Sequence, residues 1–307
     1  MKILILYPNL PMMITPATSV AIFTSIIKEM QCDVQLFETT LYAEDENQGM
    51  LYKSKLGGGR SYNVTQLGFS LKPTNVMLPN FVKKVQEYKP DLILVDRQRH
   101  FGLEASKTNI PLVVHLRGNY WKEIAMARNT LYSSPPKKIA INKWDEIGEK
   151  CFQAADKILP ICKHLEDVVK EHYPQKSSAV MYQGISSDNW YESEGMKLKH
   201  PCVGLVQGAV ILEKTEQLLT LTKVLEKMPE TTFYWVGDGP YKENVLPILE
   251  KYSNFKWLGA LEYPNKIRDF LTEIDVYALL SGIDMSPLTL LEAQLMKKPV
   301  IATNVGG

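Results

Sequence analysis

Short apolar segments alternate with segments of helical periodicity along almost the whole chain. Such alternation is typical of α/β proteins, in which parallel β-sheets are covered by helices on both faces. The predicted strands are residues 2–7, 33–37, 91–95, 111–115, 157–161, 178–182, 202–207, 232–236, 256–259, 275–280 and 299–303. The predicted helices are residues 17–30, 77–89, 140–155, 163–172, 215–227, 241–252, 263–272 and 287–297. The sequence therefore predicts an α/β fold with parallel sheets.

A polar stretch at residues 186–199 interrupts this alternation, and its most linker-like part is 186–195. At 307 residues the chain is long enough for two domains. We therefore expect an N-terminal domain at 1–195 and a C-terminal domain at 196–307. Residues 44–75 lack strong periodicity, so we expect a long mobile insertion there.

Composition narrows the class of protein. A net charge of +1 gives no basic surface of the kind that nucleic-acid-binding proteins need, so no nucleic acid partner is expected. No apolar run reaches the roughly 18 residues of a transmembrane segment. The four cysteines are scattered without a C-x-x-C pair, which favours a reducing cytoplasm and argues against zinc. They are Cys32, Cys151, Cys162 and Cys202.

Two carboxylates, Asp284 and Glu292, bracket a predicted helix start. Ser286 is a favourable N-cap, and Pro287 suits the first helical position. The segment follows a predicted strand, and open α/β sheets bind ligands at the carboxyl ends of their strands. Free N–H groups at 287–289 are able to bind hydroxyl or phosphate oxygens, and Glu292 is able to accept hydrogen bonds from a diol. The alternative is a solvated loop aspartate and a surface glutamate.

Two glycine turns follow predicted strands in the second half of the chain. Gly208 ends one strand, and Lys214 stands at the start of the next helix, where its charge is able to reach a phosphate. The alternative for Lys214 is an exposed lysine beside an N-cap. Gly237 and Gly239 follow the next strand and resemble the start of the dinucleotide-binding fingerprint without completing it. The alternative to a ligand-binding role is that they only form a tight βα turn.

His115 lies at the carboxyl end of a predicted parallel strand, next to Arg117 and Gly118. A histidine in this position is able to hydrogen-bond a substrate. The alternative is a structural histidine whose ring is satisfied within the fold.

Taken in order, these segments resemble the retaining glycosyltransferases of family 4 (glycosyltransferase group 1). The resemblance covers most of the chain and is strongest from about residue 144 onward. The segments that carry it are Ala154–Ile161, Tyr182–Ile185, Gly208–Lys214, Val236–Pro240, Leu258–Gly259, Asp275–Val276, Ser281, Asp284, Glu292–Ala293 and Pro299–Gly307. The resemblance implies a GT-B fold, with two Rossmann-like parallel-sheet domains facing a cleft.

This resemblance also implies an activity and a donor site. A nucleotide-diphosphate sugar would be the donor substrate, held mainly by the C-terminal domain, with acceptor contacts in the N-terminal domain. Lys214 would neutralise the diphosphate leaving group, and Glu292 would bind the ribose diol. Asp284 would hold the sugar, and His115 would line the donor-sugar side of the cleft. The remaining donor-binding residues would be Gly208, Gly237, Gly239, Ser286, Leu288 and Thr289.

Neither a metal nor a cofactor beyond the donor is expected, because basic residues and helix dipoles handle the diphosphate charge in this family. Glycan and lipid-linked acceptors are both consistent with the resemblance, as is a small molecule. The resemblance is also consistent with peripheral contact with the inner face of a membrane.

The chain departs from the family pattern at three places, and two of them, Ala209 and the end of the chain at Gly307, suggest an alternative function. Ala209 stands where the family has a phosphate-binding arginine, and Asp284 stands where it has a glutamate. The chain also ends at Gly307, which predicts an incomplete second domain with exposed apolar surface around 275–303. The alternative is a non-catalytic nucleotide-sugar-binding or interaction protein on a degenerate glycosyltransferase fold.

Overall fold

The computed structural model describes residues 1–9, 28–40, 79–98, 100–130 and 132–307. These residues form two compact units, Met1–Gly184 and Ile185–Gly307, each built around one parallel sheet. The predicted insertion at 44–75 lies outside the described residues, as does almost all of the predicted helix at 17–30. No helix in the described part of the chain is long and apolar enough to cross a lipid bilayer.

The N-terminal unit contains a six-stranded sheet in the order β2-β1-β3-β4-β5-β6. The strands are β1 Lys2–Asn9, β2 Asp33–Thr40, β3 Leu92–Asp96, β4 Leu112–Leu116, β5 Lys157–Pro160 and β6 Ser177–Ser178. The helices described for this unit are α1 Pro79–Tyr88, α2 His100–Ala105, α3 Tyr120–Asn129, α4 Pro135–Ala154 and α5 Lys163–His172. Every residue of β4 is buried, as expected for a central parallel strand covered on both faces.

The C-terminal unit contains a five-stranded sheet in the order β11-β10-β7-β8-β9. The strands are β7 Cys202–Val206, β8 Thr232–Val236, β9 Phe255–Gly259, β10 Val276–Leu279 and β11 Val300–Ala302. The helices are α6 Leu212–Glu216, α7 Leu221–Lys227, α8 Leu246–Leu249, α9 Asn265–Glu273 and α10 Leu288–Leu295. Short 3₁₀ turns lie at Ser187–Asn189, Gln217–Thr220 and Lys242–Asn244.

Successive residues of β8 belong to different cores in this unit. Tyr234 and Val236 pack in one apolar cluster, whereas Phe233 and Trp235 pack in another. Because successive side chains of a strand point to opposite faces, the two clusters cover the two faces of the sheet. This is the doubly covered parallel sheet that the alternation of strands and helices predicts.

Each predicted strand is present, although β6 overlaps the predicted range 178–182 only at Ser178. The helices differ more. The predicted helix at 215–227 is divided into α6, a 3₁₀ turn and α7, and the one at 241–252 is reduced to a 3₁₀ turn and α8. The short helices α2 and α3 were not predicted.

The two units divide between Gly184 and Ile185, earlier in the chain than the predicted boundary after residue 195. Trp190 is buried in a core cluster of the C-terminal unit. The Ser193 hydroxyl donates a hydrogen bond to Asp269 in α9 at 2.8 Å. The polar segment at 186–195 therefore packs as part of the second unit.

Exposed apolar surface around 275–303 is confined to the later part of that range. Tyr277, Ala278 and Leu279 in β10 are buried. In contrast, Ile301 on the edge strand β11 is 59% exposed, and Leu295 at the end of α10 is 38% exposed.

The glycine turn after β8 packs directly on the backbone of the loop after β7. The φ angles of Gly237 and Gly239 are +155° and +153°, and a Cβ atom on them would lie 2.0 Å from the Gln207 carbonyl oxygen and 2.3 Å from that of Ala209, respectively. The Ala209 N–H donates a hydrogen bond to the Asp238 carbonyl at 2.9 Å. Only glycine permits this close approach of the two loops.

We expect Gly239→Ala to lower the free energy of unfolding of the C-terminal unit by about 1–3 kcal/mol, because the new methyl group meets backbone and the φ angle is unfavourable. Urea denaturation followed by circular dichroism measures this loss. Gly208→Ala is the matched control, since a Cβ there would meet only the Asp238 carbonyl oxygen at 3.8 Å. Equal stability of the two variants would contradict the packing argument.

Candidate functional site

The loops at the carboxyl ends of β7 and β10 bring two predicted site residues together. Lys214, in α6, points its Nζ at the Asp284 Oδ2 atom, 2.5 Å away. The side chains are only 20% and 15% exposed. The Gln207 side chain fixes the backbone of α6 by donating a hydrogen bond to the Lys214 carbonyl at 2.8 Å. The interpretations of a freely exposed lysine and a solvated loop aspartate are therefore wrong.

Glu292 lies inside α10 and is also buried, with 2% of its surface exposed. Burial raises the pKa of its carboxyl group to about 7, although the Tyr263 hydroxyl opposes this rise by donating a hydrogen bond to Oε1 at 3.1 Å. Among the described residues, Oε2 has no hydrogen-bond partner. The surface-glutamate interpretation is therefore wrong. A buried acceptor of this kind is suited to a ligand that brings its own donors.

The start of α10 differs from the prediction by one residue. Pro287 is the N-cap and Leu288 begins the helix, whereas Ser286 was the predicted cap. The N–H groups of Leu288 and Thr289 belong to the first turn, whose N–H groups have no partner within the helix. The Tyr277 hydroxyl donates a hydrogen bond to Thr289 Oγ1 at 2.7 Å and so ties the helix start to β10.

The predicted donor-binding glycines fall into two groups. Gly237 and Gly239 hold the two βα loops together, as the alternative of a tight turn requires. Gly208 is exposed, and a Cβ atom there would make only an ordinary contact with the Asp238 carbonyl oxygen. Ala209 is fully buried in a core cluster, and its N–H is already bonded to Asp238. Of these loop residues, Gly208 is the most exposed, whereas Gly237 and Gly239 are half-buried and Ala209 is buried.

The N-terminal unit has its own polar cluster at the carboxyl ends of β3 and β4. The His115 Nδ1 atom lies 3.4 Å from Asp96 Oδ1, and Arg117 Nη1 lies 3.3 Å from Asp96 Oδ2. Burial alone would raise the pKa of Asp96, but the hydrogen bond with His115 and the charges of Arg117 and Arg97 lower it to about 2. Asp96 therefore stays ionised and holds the His115 ring through its Nδ1 atom.

Four residues that shape these sites were missed in the sequence. Asp96 is the last residue of β3, opposite His115 in the register of β3 and β4, and its place after an apolar run was an available signal. The other three show no signal in the sequence pattern, because their roles depend on tertiary contacts. They are Gln207, Tyr263 and Tyr277.

Two α/β units, each built on a parallel sheet, are the architecture of the GT-B fold. Residues 207–307 match the model of the family described as "Glycosyl transferases group 1". A sulfoquinovosyl transferase of Arabidopsis thaliana is 34% identical over 104 residues. That match covers 33% of this chain and 19% of the relative, so the chain aligns with only a small part of that protein.

Solved structures share the fold over nearly the whole chain. Sucrose-phosphate synthase from Thermosynechococcus elongatus superimposes with a TM-score of 0.68 at 13% identity, covering 99% of this chain and 82% of that one. A glycosyltransferase from Rickettsia africae gives a TM-score of 0.61 at 14% identity, covering 100% and 80%. HepE of Anabaena, solved with UDP-glucose, gives 0.59 at 16% identity, covering 99% and 81%.

Proposed function

We propose that this protein transfers a sugar from a nucleotide-diphosphate sugar to an acceptor, with retention of anomeric configuration. The observation that carries the proposal is the Lys214–Asp284 pair beside the start of α10, within the region that matches the glycosyl transferases group 1 family. In this arrangement a cation, a carboxylate and a helix N-terminus lie around one set of loops. Such a set of groups suits a ligand that carries both phosphates and hydroxyl groups.

Lys214 is the group proposed to stabilise the leaving diphosphate. Its ammonium group is held by Asp284 at 2.5 Å, so a bound diphosphate would have to draw it away from that carboxylate. A cation placed where negative charge develops lowers the barrier to bond cleavage more than it stabilises the bound donor. Asp284 would then be released to accept hydrogen bonds from the hydroxyl groups of the donor sugar.

Glu292 and the first turn of α10 complete the proposed donor site. The Oε2 atom of Glu292 would accept hydrogen bonds from the ribose diol, while Tyr263 holds the other oxygen. The N–H groups of Leu288 and Thr289, with Ser286 beside them, would contact the sugar. Exposed Gly208 allows the phosphates to approach the backbone. His115 is the residue of the N-terminal unit proposed to act on the donor-sugar side.

A donor panel tests this proposal. The chain is incubated with UDP-, GDP-, ADP- and TDP-sugars and with glycan and lipid-linked acceptors, and release of the nucleoside diphosphate is measured. UDP-glucose is the first donor to try, because it is the ligand of HepE of Anabaena. NMR of the product reports whether the anomeric configuration is retained. If the chain shows no binding and no turnover with any donor of the panel, the proposal is overturned.

The second candidate function is non-catalytic binding of a nucleotide sugar, and the observation that favours it is Ala209. Ala209 stands where the family that this chain resembles has a phosphate-binding arginine. Its side chain is fully buried and brings no positive charge to the site. Calorimetric binding of a nucleotide sugar without turnover would support this function. Ala209→Arg tests it further, because a gain in turnover indicates an impaired enzyme. Circular dichroism must accompany this variant, since the arginine replaces a buried methyl group.

A further inference from the structure

Four side chains with metal-binding atoms meet at the amino ends of two neighbouring strands of the C-terminal sheet. His200 and Cys202 flank the start of β7, and Asp275 directly precedes β10. Glu273 is the last residue of α9. The strands are adjacent, with Val276 paired to Val203, so residues more than 70 positions apart converge here. This end of the sheet is opposite the loops that form the candidate donor site.

The donor atoms of this cluster are closely spaced. His200 Nδ1 lies 2.9 Å from Asp275 Oδ2 and 3.7 Å from Cys202 Sγ. The three ligand atoms of His200, Cys202 and Asp275 all lie within 4.8 Å of one another. The Cys202 N–H also donates a hydrogen bond to Asp275 Oδ2 at 2.7 Å, which fixes that carboxylate against the strand.

We propose that His200, Cys202 and Asp275 form a zinc site that joins β7 to β10. Tetrahedral zinc with one nitrogen, one sulfur and one oxygen ligand places the donor atoms roughly 3.4–3.6 Å apart. Two of the observed separations are within about half an ångström of that spacing. The third, between Cys202 Sγ and the Asp275 carboxylate, is at most 4.8 Å, so side-chain rotation must bring these two groups together around the ion.

The surroundings of His200 favour metal ligation through Nδ1. The other ring nitrogen, Nε2, lies 2.8 Å from Glu273 Oε1. A carboxylate on the distal nitrogen is the arrangement that commonly orients metal-binding histidines, because it fixes both the tautomer and the ring plane. Glu273 therefore acts as the orienting group, and the three other side chains act as the ligands.

The exposure of the side chains and the chemistry of their ligand atoms both favour zinc. Cys202 is buried, whereas the His200 and Asp275 side chains are 41% and 48% exposed, which leaves an entry path and room for water as the fourth ligand. A thiolate with an imidazole favours zinc over magnesium or calcium. Burial raises the pKa of the Cys202 thiol to about 11, so the ion must displace a proton when it binds.

The sequence argued against zinc because it has no C-x-x-C pair. The H-x-C spacing of His200 and Cys202 supplies only two ligands, and the third comes from a distant strand. Because the cluster lies at the amino ends of the strands, we infer a structural role for the ion rather than a part in sugar transfer.

Cobalt substitution tests the site on the full chain. Chelator-treated protein is titrated with Co²⁺ at pH 8, and the sulfur-to-cobalt charge-transfer absorption is recorded. We expect a band that saturates at one equivalent and is abolished by one equivalent of Zn²⁺. Saturating Zn²⁺ should also raise the Tm of the C-terminal unit by about 5 °C. If no band appears and millimolar Zn²⁺ produces no calorimetric heat, the proposal is overturned. His200 would then be a histidine held between the carboxylates of Glu273 and Asp275.

Variants identify the ligands. Cys202→Ser should abolish the band, whereas Cys162→Ser, which changes another buried cysteine outside the cluster, should keep it. A band that survives in Cys202→Ser would overturn the assignment. If Cys202→Ser is unfolded by circular dichroism, Asp275→Asn decides, because it removes a ligand charge from an exposed position. The expected result is at least a tenfold loss of cobalt affinity, and unchanged affinity would overturn the proposal.

Discussion

Lys214→Ala is expected to lower kcat for sugar transfer by about 10²–10³-fold, the loss typical of removing one group aimed at developing negative charge. The expected pattern is a fall in kcat that exceeds any rise in KM for the donor, because the cation acts mainly on the leaving diphosphate. Steady-state kinetics with the donor that the panel identifies would measure both constants. An increase in KM with unchanged kcat would instead show that Lys214 contributes uniform binding.

Controls must separate this effect from a loss of stability. Removing Lys214 leaves Asp284 mostly buried without its ion-pair partner, and a group in that state destabilises a fold. The double variant Lys214→Ala/Asp284→Asn removes both charges and tests stability alone, because Asp284 is itself proposed to bind the donor sugar. Lys223→Ala removes the same charge from an exposed position on α7 and should leave kcat within about twofold of the wild type. A wild-type kcat in folded Lys214→Ala would exclude the proposed role.

The strands of this protein were predictable because parallel sheets bury short apolar runs on both faces. Residues 112–116 and 232–236 are buried along their whole length, and each stands out in the sequence as an apolar run. Helices were less predictable. α3 buries only Tyr120 and Ile124, a single pair four residues apart, and α2 has only six residues. Signals this short do not distinguish a helix from a loop.

The contacts within the candidate site were not predictable, although several of its residues were. Lys214 and Asp284 are 70 positions apart, and their contact depends on β7 and β10 being neighbours in the sheet. Strand order is not encoded in the alternation of strands and helices. The same reason explains why Tyr263, the partner of Glu292, was missed. The domain boundary was displaced because polar composition at 186–195 conceals the packing of Trp190.

Glu292→Gln is expected to stabilise the C-terminal unit at pH 8 while weakening donor binding. The Glu292 carboxyl has a pKa of about 7 in the folded protein, against its ordinary value of 4.5 in an unfolded chain. As the pH rises from 4.5 to 7, the unfolded chain loses this proton first, so ionisation favours unfolding and stability falls. At about 1.4 kcal/mol per pH unit, the total loss is about 3 kcal/mol.

Glutamine resembles the protonated acid, so the variant escapes this loss. Urea denaturation should show the variant up to about 3 kcal/mol more stable than the wild type at pH 8 and nearly equal to it at pH 4.5. Glu230→Gln is the matched control, because it makes the same change at an exposed position of the same unit and should alter stability by less than about 0.5 kcal/mol at either pH.

Donor binding should respond in the opposite direction. The ionised carboxylate is the stronger acceptor for a ribose diol, and hydrogen bonds to charged groups contribute about 1.5–3 kcal/mol, so the variant should bind the donor about 10- to 100-fold more weakly at pH 8. Wild-type affinity should rise as the pH passes through about 7, whereas the affinity of Glu292→Gln should stay flat. Calorimetry over this pH range measures the affinities of both proteins.

A variant that gains stability without losing affinity would place the ribose elsewhere. Loss of both would indicate that the carboxylate is part of the fold and that its burial does not serve the donor. A gain in stability combined with a loss of affinity is the result expected when a buried charge is kept for binding a ligand at a cost to folding.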